Sequence, residues 1–434
     1  MILIKNGTII TPQEVFQGDI LIDEDKIKQV SKEPIKTVTG VKEIDATGKV
    51  VLPGLICAHH HLYSTFARGM NLGGEPAKNF PETLEKLWWR LDKALQPEDL
   101  YWSSIPPLVD AVRMGVTTII DHHESQGYQK GSLDEIAKAV KKVGLRASLC
   151  LGVSDRYDKG IEGIKECERF LKKFKKSPNN KLHTMVGLHA SFTVNDITLN
   201  NAVALAKENG VGIHVHCAED ISDQEETVQK HGKRVIKRLH DAGALGEKSI
   251  AVHCIHLDEE EMELLKTSNT NVVHNSESNM NNAVGWSNVI EMNKRGILVG
   301  LGSDGMSSNM WREMRVAYLI SHHATKDPRV GFMEAINFLF KNNPIIAKRI
   351  FGQELGIIRE GAAADLIVMD YLPPTPLHQN TVLGHILFGL LDAHVETTIA
   401  GGDLLYHKGK FKKLDIEEIK QKSQEKAVKL WQRI

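Results

Sequence analysis

The stretch VVLPGLICAHHHL, residues 50–62, decides the reading of the fold: an unbroken apolar run ends abruptly on three histidines. Short apolar runs rich in Val, Ile and Leu read as strands buried on both faces, the kind found in parallel sheets. With residues 50–58 as the first, seven more follow at 115–121, 146–153, 183–190, 212–218, 249–255, 271–275 and 297–304. Between them, segments such as 133–143, 200–209, 234–242, 259–266 and 289–294 repeat apolar residues every three to four positions, as amphipathic helices require. Eight strands alternating with helices predict an α/β fold, a closed (β/α)8 TIM-like barrel.

Both ends of the chain have a different texture. MILIKNGTII (1–10) and GDILIDEDKIKQV (18–30) alternate in short segments broken by Gly and Asp, as hairpins do. The same texture returns in AADLIVMD (363–370) and VETTIAGGDLLYHKGKF (395–411). We expect residues 1–54 and 355–413 to pair into one small β-sandwich-like domain, residues 55–354 to form the barrel, and residues 414–434 to form a terminal helix.

Among 434 residues, 54 Lys and Arg nearly cancel 55 Asp and Glu, and the net charge of -1 offers no bulk attraction to nucleic acid or an anionic membrane. A small molecule is the expected partner. The opening MILIK lacks the basic start of a secretory signal and no apolar run reaches the length of a membrane span, so a cytoplasmic location is expected. The five cysteines, Cys57, Cys150, Cys167, Cys217 and Cys254, form no CxxC pair and lie mostly in apolar runs, which fits reduced, buried thiols. Histidine is the unusual residue, with 20 copies, many in clusters.

In a barrel of this type the active site forms at the C-terminal ends of the strands. The polar residues closing each run are therefore the candidates. Residues two apart on an extended segment share a side, so His59 and His61 can grip one ion while His60 points away. His216 closes the fifth run, His253 the sixth, His274 the seventh and Asp304 the eighth. Three imidazoles and a carboxylate suit zinc or ferrous iron with an open position for water. His214 also faces inward by alternation but lies deeper in its run, where a satisfied core histidine is the ordinary reading.

The segments PGLICAHHHL (53–62), HVHCAED (214–220), AVHCIHL (251–257), VVHNSESNM (272–280), GLGSDG (300–305) and EGAAADLIVMD (360–370) together resemble the amidohydrolase superfamily, specifically its chlorohydrolase-like and deaminase-like branch, over essentially the whole chain. Within it, the triple histidine, the following Leu-Tyr-Ser and Arg68-Gly69 are most similar to the aminohydrolase SsnA group and to enzymes deaminating guanine-type purines. The resemblance implies His59, His61, His216 and Asp304 as ligands of one divalent metal, zinc first and iron second, with Glu219, His253 and Asp304 as catalytic residues. It also implies that His189 contacts substrate and that the protein is a homo-oligomer. Binuclear relatives carry a lysine on the fourth strand; residues 183–190 have none, so a single metal is expected.

His274, Asn279, His122 and His123 are further rim candidates. Tyr63, Phe66, Trp88 and Trp89 are placed in sequence to cover a flat heterocycle, with Arg68 or Arg90 bonding its carbonyl.

A metal lowers the pKa of bound water to about 7, giving hydroxide that can attack an sp2 carbon of a C–N unit. Glu219 would then protonate a ring nitrogen, Asp304 would take the water's proton and pass it to the leaving amine, and His253 would polarise the attacked group or orient the water. The expected activity is a metal-dependent aminohydrolase, or deaminase, acting on a purine-like or related nitrogen heterocycle. Ring opening of a cyclic amide or imide is the enzymatic alternative, and a metal-free scaffold the non-enzymatic one.

Overall fold

Eight parallel strands succeed one another in chain order around a barrel: β1 (Leu55–His60), β2 (Val116–His123), β3 (Arg146–Val153), β4 (Val186–Ala190), β5 (Ile213–Cys217), β6 (Ile250–His253), β7 (Asn271–His274) and β8 (Val299–Leu301). The structure is a computed structural model that describes residues 1–36, 40–176 and 180–434. Each strand falls on one of the eight apolar runs, with β1 and β2 each continuing two residues past the end of theirs. Crossover helices cover the outside; Ser132–Val143 buries Leu133, Ile136, Ala139, Val140 and Val143, spaced three and four apart, and stops at left-handed Gly144.

The seam between β1 and β8 closes through two devices. At the top, the Ser303 and Asp304 amides both donate to the His59 carbonyl, at 3.0 and 3.1 Å. Lower down, Asn343, opening the helix Asn343–Phe351, bridges the strands: its Nδ2 donates to Ile56 O and Leu301 O at 2.8 Å each, and its Oδ1 accepts from the Leu301 amide at 2.8 Å. Glycine is required along this edge. A Cβ on Gly300 would stand 2.4 Å from Asn343 Oδ1, and one on Gly302 would stand 2.7 Å from His59 Cβ.

The first predicted strand is in fact two. Val50–Pro53 belongs to the second sheet, pairing with Ile2–Ile10 and Leu366–Asp370, and the barrel strand begins only after Gly54. The fourth run also splits: Leu182–Thr184 pairs with β3 before Val186–Ala190 takes over.

Strands from both chain ends form that second sheet, in the order Lys410–Phe411, Asp403–His407, His394–Ala400, Leu366–Asp370, Val50–Pro53, Ile2–Ile10, Val15–Asp23, Lys26–Ser31, with Lys42–Asp45 also pairing to Ile2–Ile10. Ile4, Ile9, Ile20, Ile22, Ile44, Val51, Leu366 and Val368 pack into its own core. A fully buried ion pair ties it to the barrel: Arg146 Nε at the start of β3 lies 2.7 Å from Asp365 Oδ2.

The segment between Leu366–Asp370 and His394–Ala400 leaves the sheet. Its helix Val382–Phe388 packs Phe388 against Tyr318 and Phe332, ring centroids 5.9 and 6.0 Å apart, on helices that belong to the barrel. The terminal helix Ile416–Trp431 runs beside Pro97–Arg113, where the Ser423 hydroxyl donates to Trp102 O at 3.1 Å. All five cysteines are buried and free. Among the described residues, no helix is long and apolar enough to cross a membrane.

Candidate active site

The ends of β1, β5 and β8 converge. His59, His61 and His216, and likewise His59, His253 and Asp304, each present one ligand atom within 4.8 Å of the others. His61 Nε2 lies 3.1 Å from Asp304 Oδ1 and 3.2 Å from His216 Nε2. His60 turns away, as alternation on β1 demands, and meets Ser308 Oγ at 3.1 Å.

Hydrogen bonds on the far side of each ring decide what faces this cage. His61 Nδ1 donates to the His122 carbonyl and His216 Nδ1 to the His189 carbonyl. A carbonyl only accepts, so both rings carry their proton on Nδ1 and, when neutral, turn bare Nε2 lone pairs inward. His59 Nε2 is buried with no hydrogen-bond partner among the described residues.

Burial works against charging His61, but the Asp304 carboxylate and its hydrogen bond outweigh that and push its pKa up to about 9. Burial likewise opposes ionising Asp304, yet His61 and the Ser278 hydroxyl hold its carboxyl well below the usual range. An arrangement of three imidazole nitrogens and one carboxylate that attracts positive charge to its centre fits a divalent ion of the zinc type.

Backbone strain collects at the same place. Ala218, His253, Cys254 and Asp304 all have left-handed φ, of 47, 68, 52 and 53°. Each costs of order 1 kcal/mol or more for a residue other than glycine. Hydrogen bonds hold the distortion: Cys254 N donates to Cys217 O between strand ends at 2.9 Å, and Ala218 N to Asp223 Oδ2 on the helix Ile221–His231 at 2.7 Å.

Beside the cage, Glu219 Oε2 and Asp304 Oδ2 lie 3.5 and 3.8 Å from His253 Nε2. Glu219 is no solvated surface acid: its side chain is 13% exposed, and burial, with help from the Asp304 charge and against the pull of His253, pushes its pKa up to about 7. Its Oε1 accepts from Asn282 Nδ2 at 3.3 Å, and Ser278 Oγ donates to Asp304 Oδ2 at 2.6 Å. Ser278 and Asn282 escaped the sequence reading; their sole signal was position, just past the seventh run.

A cavity of about 850 Å3, counting its open mouth, spreads from the cage. His61, His189, His216, Glu219, His253 and Asp304 line one part, and Tyr63, Phe80, Leu84, Trp88, Phe192 and Met306 give it apolar walls. Asp92 and Glu124 also reach it, and Arg156 ties them together at 3.2 and 2.9 Å.

Several candidates are placed elsewhere. His274 and Asn279 lie behind His253, with Asn279 Oδ1 accepting from His253 Nδ1 at 2.7 Å and its Nδ2 facing His274 Nδ1 at 3.5 Å. Arg68 is exposed and 3.9 Å from Asp110, and Arg90 donates to the Ile434 carbonyl. Phe66 is packed in the core, and Trp89 stacks on Arg156 at 5.1 Å. His122 and His123 are fully buried, on Leu188 O and Ser125 Oγ. His214 is a buried partner of His59, at 2.9 Å.

The whole chain is similar to known proteins. The chain is 31% identical over 447 residues to a 5-methylthioadenosine/S-adenosylhomocysteine deaminase of Thermoanaerobacter pseudethanolicus, covering 100% of both chains. It is also 31% identical to a 5'-deoxyadenosine deaminase of Methanosarcina mazei, covering 100% of this chain and 99% of that one. A zinc-bound adenosine deaminase from Xanthomonas campestris superposes with a TM-score of 0.84 at 20% identity, covering 99% and 98% of the two chains. A zinc complex of atrazine chlorohydrolase from Arthrobacter aurescens does so with 0.84 at 20% identity, covering 99% and 100%. Residues 50–405 match the Amidohydrolase family, and the chain belongs to it.

Proposed function

We propose that this protein is a one-metal aminohydrolase that releases ammonia from an amino-substituted purine or related nitrogen heterocycle, with His59, His61, His216 and Asp304 as ligands and zinc as the ion. The observation that carries the proposal is Glu219: a recessed carboxyl with its pKa near 7, 3.5 Å from His253 and beside the cage. Deaminase names among full-length relatives support an adenosine-type ring as the substrate class.

When bound, the ion activates water for attack on the amino-bearing ring carbon. The chain's own groups move the protons. Glu219, protonated near neutrality, donates to the ring nitrogen beside that carbon as it becomes tetrahedral, and takes back the proton of the added hydroxyl as the amine leaves and the carbonyl forms. Asp304 Oδ2, steadied by the Ser278 hydroxyl, takes the proton from water and returns it to the departing amine. With Nδ1–H given to Asn279, His253 presents Nε2 to the pocket 3.5 Å from Glu219 and 3.8 Å from Asp304, where it can orient the water or polarise the attacked group. Tyr63, Phe80, Trp88 and Phe192 supply flat apolar surface for the ring.

The test is an ammonia assay of zinc-loaded protein against 5'-substituted adenosines, other aminopurines, pterins, pyrimidines and triazines. Ammonia with replacement of the amino group by oxygen is expected from at least one of them. A ring-opened carboxylate without ammonia would overturn deamination in favour of cyclic amide hydrolysis.

A further inference from the structure

Behind His59 runs a buried hydrogen-bond chain that the proposed chemistry leaves unused. His59 Nδ1 meets His214 Nε2 at 2.9 Å, His214 Nδ1 meets Cys150 Sγ at 3.6 Å, and the Cys150 thiol lies 3.4 Å from the Asp121 carbonyl oxygen. His59, His214 and Cys150 sit on β1, β5 and β3, odd-numbered strands whose inward side chains share layers of a barrel interior. All three are 0% exposed, so no bulk water replaces a lost partner.

The polarity of this chain follows from its inner end. The Asp121 carbonyl only accepts, so Cys150 S–H donates to it and the sulfur is left to accept from His214 Nδ1–H. His214 Nε2 is then bare and accepts from His59 Nδ1–H. His59 Nε2 consequently carries a lone pair, and this is the buried atom that has no hydrogen-bond partner among the described residues and faces the cage, 3.9 Å from Asp304 Oδ1. The opposite polarity would aim an N–H at the cage and close it to a cation.

We propose that His214 and Cys150 are positioning residues that fix His59 in its Nδ1–H tautomer and thereby set the affinity of the cage for its metal. The proposal rests on the metal reading of the site. On β5, one strand thus supplies both a ligand, His216, and, two residues earlier, the group that orients a ligand on β1.

The experiment is competition of the metal-stripped protein with a chromophoric chelator for zinc, paired with nitrogen-15 NMR of the histidine rings. His214→Phe, which removes the acceptor, is expected to weaken zinc binding by about 10- to 100-fold, the usual effect of losing a group that orients a ligand. Cys150→Ala is expected to weaken it by a smaller factor, and Cys150→Ser, which restores a donor and an acceptor, to recover most of that loss. The NMR spectrum of the parent should show the His214 proton on Nδ1.

Folded His214→Phe with the parent's zinc affinity would overturn the proposal while leaving the metal site intact. A His214 proton found on Nε2 would overturn it without any variant. A parent chain that binds no zinc would overturn the metal reading and this proposal together.

Discussion

His61 Nε2 and His216 Nε2 stand 3.2 Å apart, and both rings have already given their Nδ1 protons to main-chain carbonyls. Two neutral imidazoles so arranged point lone pairs at each other, with the Asp304 carboxylate 3.1 Å from one of them. Positive charge relieves that repulsion, either a proton on His61, whose pKa is pushed up to about 9, or a divalent ion in its place. Zinc should therefore stabilise the native state, by about 2.7 kcal/mol when free zinc is a hundred times its Kd. Thermal melts with and without a chelator measure this, and superimposable curves would count against the cage.

Glu219→Gln keeps the shape of the side chain and its contact with Asn282 but removes the transferable proton. We expect kcat to fall by about 100-fold or more, within the range of lost general acids, with zinc content unchanged. Full activity in a variant that still holds zinc would remove Glu219 from the mechanism.

The pKa of Glu219 near 7 also fixes a limb of the pH profile. Burial raises it, so the proton-bearing form is complete well below pH 7 and declines above it. A group needed as an acid loses function on that side, and kcat/KM should fall with rising pH from about 7. A profile still climbing through pH 9 would contradict the assignment.

Arg146 and Asp365 are both wholly buried and 2.7 Å apart, one on the barrel and one just before the strand Leu366–Asp370 of the second sheet. Arg146→Leu would strand the carboxylate in the interior and is expected to cost about 3 to 5 kcal/mol. Pairing it with Asp365→Leu should return much of that loss, because the buried unpaired charge is then gone. Denaturant unfolding of the two variants decides the point; equal losses would show that the pair acts through more than its charge.

The barrel was legible in the sequence because buried parallel strands leave continuous apolar runs, and the cage because the histidines and Asp304 close those runs. Where legibility failed, the reason was physical. The run 50–58 hid its division at Gly54 because Val50–Pro53 and β1 are both buried, each in a different sheet. His274 closes its strand like the other candidates, but the helix Ser276–Asn281 brings Asn279 behind His253 and presents Ser278 to Asp304 instead. Nothing in linear spacing records that rotation. Arg156 meeting Asp92 and Glu124 joins three distant segments, a contact that periodicity does not encode.

The most direct measurement is ammonia release by the metal-stripped protein as zinc is added back in known amounts, with the best substrate from the panel. Activity should be absent at the start, rise in proportion to zinc and saturate at one equivalent per chain. Activity that survives stripping, or that needs two equivalents, would contradict a one-metal aminohydrolase.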